Sequence, residues 1–330
     1  MEPVTVTRDD KGNLLLGPRT IPIPTSISPE AQKFLATPFP NNPQPEVGDK
    51  EGWKKMVAAF DALFDPMVDR LLETSSATVD KKSIAGATVY LGTPKEMRRK
   101  DWAHFTIHGG AWVFMGGRYV MGEAVSTAAE FGCTTFSLDY RMPPDYPFPT
   151  AVDEGVAVYR EIIKSYDPKK VVISGASAGG NLTAAVTLKL RDAGLPLPGA
   201  IGMMTPAVDM TRASDTMHTN DGIDTVLRPG GRAVALYADG HDLTDPYLSP
   251  LYGDFTKGFP PTFLQSGTRD LLLSDTVRMH RKLLQAGIEA ELHVWEAMPH
   301  GGFGGVFGSP TPEDREMRDQ FMKFVEKHLG

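Results

Sequence analysis

The chain has 330 residues, 41% hydrophobic and 23% charged, with a formal net charge of −7. That length and composition can bury a large core, as one large α/β domain or two smaller ones. The acidic balance argues against nucleic acid or an anionic membrane surface as a partner, and no stretch approaches the ~18 apolar residues of a membrane span.

Residues 1 to about 50 are irregular, because prolines from Pro18 to Pro45, Pro38 and Pro40 among them, break any long element. A short helix is expected with Ser28 as N-cap and Pro29 at its first position, turning Phe34 and Leu35 inward. A longer helix starts at Glu51, and Trp53, Val57, Phe60, Phe64, Met67 and Leu71 mark one face of it. No sheet signal precedes it, so this part reads as a cover. The alternating pattern begins near Ile84, with residues 84–91 as an edge strand. A strand from Trp102 to Ile107, a helix from Tyr119 to Phe131 and a strand from Cys133 to Leu138 follow. Thr150 opens a helix with Asp153 three residues on, the spacing of a capping box. Val171-Val172-Ile173-Ser174 is a buried strand, and a helix with Leu182, Ala185, Val186 and Leu190 inward follows it until Gly194 and Pro196. A strand at 200–205 comes next. Residues 206–250 break the rhythm and contain a weak helix at 229–238; an insertion on the ligand side of such a sheet is a natural lid. Thr262 to Ser266 is a strand, Ser274 to Ala286 a helix, 289–295 a strand, and Thr311 to Leu329 the last helix. Strands alternating with helices give a mostly parallel central sheet with helices on both faces.

The chemistry gathers at strand ends. Gly175-Ala176-Ser177-Ala178-Gly179 joins a strand to a helix and so meets the requirement of a nucleophile elbow. Side chains at Gly175 and Gly179 would strike backbone, and Ser177 Oγ would stand at a helix N-terminus beside the free N–H of Ala178. A serine needs a base. Of eight histidines, His300 alone sits in a glycine-rich loop after the last strand, Met298-Pro299-His300-Gly301-Gly302-Phe303. His104, His280 and His328 read as core or surface residues. The base needs a carboxylate. Asp270 follows the preceding strand, and the order Ser177, Asp270, His300 suits a nucleophile elbow. Asp275 is the rival, but in a first helical turn it reads as a capping residue. His108-Gly109-Gly110-Ala111-Trp112 ends an earlier strand, where Gly109 and Gly110 let backbone N–H groups approach a substrate oxygen. With Ala178 they would form a three-donor oxyanion hole, and His108 would shape the loop.

These motifs resemble those of the hormone-sensitive-lipase family of α/β-hydrolase esterases from about residue 84 onward. The resemblance rests on His108-Gly109-Gly110, Tyr140-Arg141-Met142-Pro143-Pro144, Pro147-Phe148-Pro149, the elbow through Asn181, Ser249-Pro250, Pro260-Pro261-Thr262, Asp270 and His300-Gly301-Gly302-Phe303. It implies an α/β-hydrolase fold with a helical cap. Residues 1–80 would be an N-terminal cap arm, and 81–330 the catalytic domain with a cap insertion at about 206–248. The chain departs from the family pattern at four places. Ala111 stands for a third glycine, Ala176 for Asp or Thr before the serine, and Leu271 for the proline after the triad aspartate. One extra residue lies between His300 and Phe303. None of these removes a catalytic atom.

The expected activity is a serine carboxylesterase acting on short- to medium-chain acyl or aryl esters, without metal or cofactor. Trp112, Phe114 and Met115, with Trp53 and Phe303, are the expected pocket residues. Amide, lactone or carbamate hydrolysis by the same triad stays open, since pocket shape and proton delivery select the leaving group. A non-catalytic receptor on the same fold would lack the histidine that His300 supplies. Residues Met1 to Thr5 lack the regions of a signal peptide and Cys133 is the only cysteine, so a cytoplasmic protein is expected. A homodimer through an edge strand is expected from the resemblance.

Overall fold

Runs such as Val171-Val172-Ile173 are apolar on both faces of a strand, so they are stable only in a sheet covered on both sides. The computed structural model describes residues 5–37, 43–304 and 310–330. The expected breakers Pro38 and Pro40, and Met1 to Val4, lie outside those residues. Among the described residues, eight strands form one sheet. In chain order they follow a small hairpin of β1 (Val6–Arg8) and β2 (Leu14–Leu16) and are β3 (Ala77–Ile84), β4 (Ala87–Pro94), β5 (Ala103–Ile107), β6 (Thr134–Asp139), β7 (Val171–Ala176), β8 (Ala200–Met204), β9 (Thr262–Gly267) and β10 (Ala290–Trp295). The spatial order is β10-β9-β8-β7-β5-β6-β4-β3. β4 alone runs opposite to the other seven strands of this sheet.

The helices are α1 (Pro29–Ala36), α2 (Lys50–Asp61), α3 (Asp65–Thr74), α4 (Arg118–Phe131), α5 (Thr150–Ile162), α6 (Ala178–Asp192), α7 (Thr216–Thr219), α8 (Arg232–Ala238), α9 (Leu273–Gln285) and α10 (Pro312–Leu329). On one face of the sheet Ala103, Phe105, Ile107, Ile173, Ile201 and Leu264 share a core with Val152 and Val156 of α5 and the inward side chains of α6. On the other, Val172, Ala200 and Phe263 meet Phe131 of α4 and Phe321, Phe324 and Val325 of α10. The alternation of each strand sets which residues go to which face.

The path of the chain puts the ligand crevice at β5 and β7. From β5 the chain passes through α4 to β6 on one side, then returns through α5 to β7 on the other. The loops leaving β5 and β7 therefore diverge, which is where open α/β sheets bind ligands. The register aligns the two exits, because Ile107 pairs with Gly175.

Several expectations change. The strand near 84–91 is not an edge: β4 is paired on both sides, and β3, beginning at Ala77, forms the edge. The sheet thus starts before residue 81. Alternation missed β3 because its middle residues, Asp80 to Ser83, are all exposed. A two-stranded hairpin, β1–β2, precedes the first helix although no sheet signal was read there. The long helix from Glu51 is two helices joined by a 3₁₀ turn at Ala62–Phe64, with Pro66 in the first turn of the second. Thr150 and Asp153 form no capping box. Pro149 occupies the N-cap, so Thr150 lies one position too far in, and Asp153 pairs with Lys189 instead. The capping box is at Thr311 and Asp314, at the start of α10. Ser28 does cap α1, its Oγ accepting from Ala31 N at 3.2 Å.

Ile173 lies fully buried in the central strand β7. Ile173→Ala should lower the unfolding free energy by about 2–5 kcal/mol. Urea denaturation should show this as a lower midpoint at unchanged slope.

Candidate active site

Ser177 sits between β7 and α6 with φ +58° and ψ −118°, a strained left-handed conformation for a residue with a side chain. The turn can be this tight because its flanking positions lack Cβ atoms. A Cβ at Gly175 would come within 2.5 Å of the Ile107 carbonyl oxygen, and one at Gly179 within 2.8 Å of the His108 carbonyl. Neither obstacle can move, since both are backbone. The Ser177 N–H is held by the Met204 carbonyl of β8 at 2.8 Å, so the elbow is pinned to the neighbouring strand.

Three expected residues from distant parts of the chain meet here. Ser177 Oγ lies 2.8 Å from His300 Nε2, and His300 Nδ1 lies 3.0 Å from Asp270 Oδ1. Asp270 is fully buried and His300 nearly so. Further polar groups fix this line. Ser266 Oγ donates to Asp270 Oδ2 at 2.6 Å, and Leu272 N donates to Asp270 Oδ1 at 2.9 Å. Thr205 Oγ1 lies 3.1 Å from His300 Nδ1. Asn220 Nδ2 donates to the Asp270 carbonyl at 2.8 Å. With Nδ1–H donated toward Asp270, Nε2 is left as the acceptor that a serine proton needs.

Electrostatics separates His300 from the other buried histidines. Burial pushes His104 down to about 3. It pushes His108 down to about 4 against a hydrogen bond to the Gly109 carbonyl. Both are neutral at ordinary pH. Burial also acts to lower His300, but the charge and hydrogen bond of Asp270, with the charge of Asp224, outweigh it, and its pKa is raised above 6.5.

The loop after β5 lies against the elbow. A Cβ on Gly109 would fall 2.7 Å from the Ala176 carbonyl oxygen and 3.6 Å from Ser177 Cβ. Gly110 has φ +95°. The N–H groups of Gly109, Gly110 and Ala178 donate to no other group among the described residues, as donors reserved for a substrate oxygen would. His108 shapes this loop as expected. Its ring stacks on Tyr140 at 4.1 Å and its Nδ1 donates to the Gly109 carbonyl at 2.8 Å.

Of the expected pocket residues, Trp53, Phe114 and Met115 come together. They are buried in one cluster with Phe64 and Val68 of the arm and Ala233 and Leu236 of α8. Trp112 is instead a brace. It stacks on Tyr237 at 5.2 Å and donates from Nε1 to Asn181 Oδ1 at 3.3 Å. Phe303 is also elsewhere. Gly301 and Gly302, both at positive φ, turn the chain away, and Phe303 is buried with Ile27, Leu35 and Met298, edge-on to Phe34 at 6.4 Å. It fastens the arm to the sheet. Asp275 is no cap either: its buried carboxylate accepts from Asp209 N at 3.1 Å and from Ser214 Oγ, tying the insertion to α9. Among the described residues no cluster of three metal-ligating side chains occurs.

Thr205, Ser266, Asn220 and Asp224 escaped the sequence reading as site residues. Thr205, Asn220 and Asp224 meet the loops of Asp270 and His300 from distant parts of the chain, whereas Ser266 lies only four residues before Asp270, and no local pattern marks such contacts. The one signal is a lone polar residue in a buried setting, as Ser266 is in β9.

The sheet and the tight strand-to-helix turn at Ser177 define an α/β-hydrolase fold. A family profile described as the alpha/beta hydrolase fold matches residues 104–303. An esterase of Acinetobacter venetianus is 30% identical over 243 residues, covering 71% of this chain and 78% of that protein. An acetyl-hydrolase of Streptomyces hygroscopicus is 34% identical over 197 residues, covering 56% of this chain and 65% of its own length. A solved esterase structure superposes with a TM-score of 0.86 at 36% identity, covering 96% of this chain and 99% of that one. A solved esterase described as of the bacterial hormone-sensitive lipase family gives 0.75 at 28% identity, covering 92% and 99%. The chain belongs to the α/β-hydrolase family, within its bacterial hormone-sensitive-lipase branch of esterases. No helix among the described residues is long and apolar enough to cross a membrane.

Gly109→Ala should lower kcat by about 10²- to 10³-fold, because the methyl displaces the donor loop. A near-unchanged thermal midpoint and normal KM, measured beside it, would place the loss in the reaction step.

Proposed function

We propose that the protein is a serine carboxylesterase that works through an acyl-enzyme. The observation that carries this is the continuous line from Ser177 Oγ through His300 to Asp270, at 2.8 and 3.0 Å. His300 Nε2 takes the Ser177 proton as Oγ attacks the ester carbonyl carbon. The oxyanion of the tetrahedral intermediate accepts from Gly109, Gly110 and Ala178. The imidazolium, stabilised by Asp270, returns its proton to the departing alkoxide, and the alcohol leaves. Water then attacks the acyl carbon, losing a proton to His300; the second tetrahedral intermediate collapses, releasing the carboxylic acid, and the imidazolium returns its proton to Ser177 Oγ.

The arm and the insertion act as a cap in this reading. Val113, Phe114 and Met115 rise from the oxyanion loop into the apolar cluster that α2, α3 and α8 share. Such a cap favours short- to medium-chain acyl or aryl groups. The relatives named as an esterase and an acetyl-hydrolase support the ester preference.

A p-nitrophenyl ester series from acetyl to dodecanoyl, run with wild type and Ser177→Ala, tests the proposal. Activity should peak at short chains and vanish in the variant. A folded wild type inert on every ester would turn the reading to amide or lactone substrates. The pH profile follows from the base. His300 must be neutral to accept the proton, so kcat/KM should hold at high pH and fall tenfold per unit below the His300 pKa. That pKa is raised, so the limb should lie above pH 6.5. A rate flat down to pH 5 would exclude His300 as base.

A further inference from the structure

The cap insertion sends one carboxylate beneath the catalytic loops. Asp224 is fully buried. Its Oδ1 accepts from Val226 N at 2.9 Å and Leu227 N at 3.1 Å, which closes a turn within the insertion. Its Oδ2 accepts from Leu271 N at 2.8 Å, in the residue after Asp270. A longer contact of 3.4 Å runs from His300 N to Oδ1. Every contact is donated to Asp224, the arrangement that suits an ionised carboxylate. The bond from Leu271 has a sequence basis. The proline expected at this position would have no N–H to donate.

We infer that Asp224 is a positioning residue for the catalytic base: it ties the loops of Asp270 and His300 to the cap insertion and sets a second negative charge beside the imidazole. The inference rests on the proposed triad. The charged groups that face His300 are Asp270, from the loop after β9, and Asp224, from the insertion. Ser177 of the elbow and Thr205 after β8 face it as neutral groups. Burial raises the pKa of Asp224 and the nearby charge of Asp270 adds to this, while a positive charge on His300 opposes it. Proton transfer from Ser177 puts that charge between them. The cap would then take part in setting the basicity of His300 as well as covering the pocket.

The test is the pH profile of kcat and kcat/KM for Asp224→Asn on p-nitrophenyl acetate. The amide keeps the size of the side chain and removes the charge. The acid limb should move down by roughly one pH unit, and kcat at the plateau should fall by up to about 10²-fold through misplacement of the base, with KM little changed. A limb that stays in place would overturn the inference, even with a loss of kcat, because a brace without electrostatic action predicts that result. If Asp224→Asn does not fold, Asp224→Ser carries the same measurement, since its hydroxyl can still accept the Val226 N–H. His300→Ala is measured beside them. If it retains activity, the triad reading fails and the inference with it. If it is inert while the limb of Asp224→Asn is unmoved, only the inference fails.

Discussion

Backbone packed against backbone at the end of β7 governs this site. Gly175 and Gly179 approach the chain leaving β5 so closely that neither can carry a Cβ. This contact forces Ser177 into its left-handed conformation and sets Oγ above the sheet. It also sets the height of the loop from His108 to Met115, because Ile107 at the end of β5 pairs with Gly175 of β7. A strained residue persists only where its surroundings over-determine it. Here the Met204 carbonyl, the buried helix α6 and the β5 loop all press on the same turn.

Around that turn the protein sorts its buried polar groups by charge. His104 and His108 lie in apolar or neutral surroundings and are held neutral. His300 meets carboxylates and is made more basic despite its burial. Desolvation acts on all three alike, so the neighbouring charge decides whether an imidazole is held neutral or made more basic. The carboxylates are themselves held by N–H and O–H donors from Ser266, Leu271 and Leu272, as buried anions must be.

The N-terminal arm and the insertion are joined to this region through packed side chains. The arm is fastened at one end by Phe34 against Phe303 and at the other by Trp53 and Phe60 against Phe114. The insertion is fastened by Tyr237 stacked on Trp112 and by the Asp209–Ser214–Asp275 cluster with Arg278. Asn181, one turn into the elbow helix, donates to the Ala207 and Leu248 carbonyls at either end of the insertion.

The sequence by itself determined whatever is local. Residue period marked the buried strands and most helices, and the glycines of the elbow and the His108 loop marked tight backbone approach. Glycine-rich or acidic strand ends singled out Ser177, Asp270 and His300, which the fold brings together. It failed where a residue's role depends on what lies beside it in space. β3 carries no apolar alternation because it is an exposed edge strand, and Gly301 and Gly302 redirect the chain after His300 and carry Phe303 away from the site. Asp275 was read as a cap, although the insertion folds back over α9 and buries its carboxylate. Only the tertiary structure brought the line from Ser177 to Asp270 within hydrogen-bond distance and set Asp224 behind it. Those contacts join residues 30 to 123 positions apart, and spacing along a chain cannot encode which distant loops a sheet will place together.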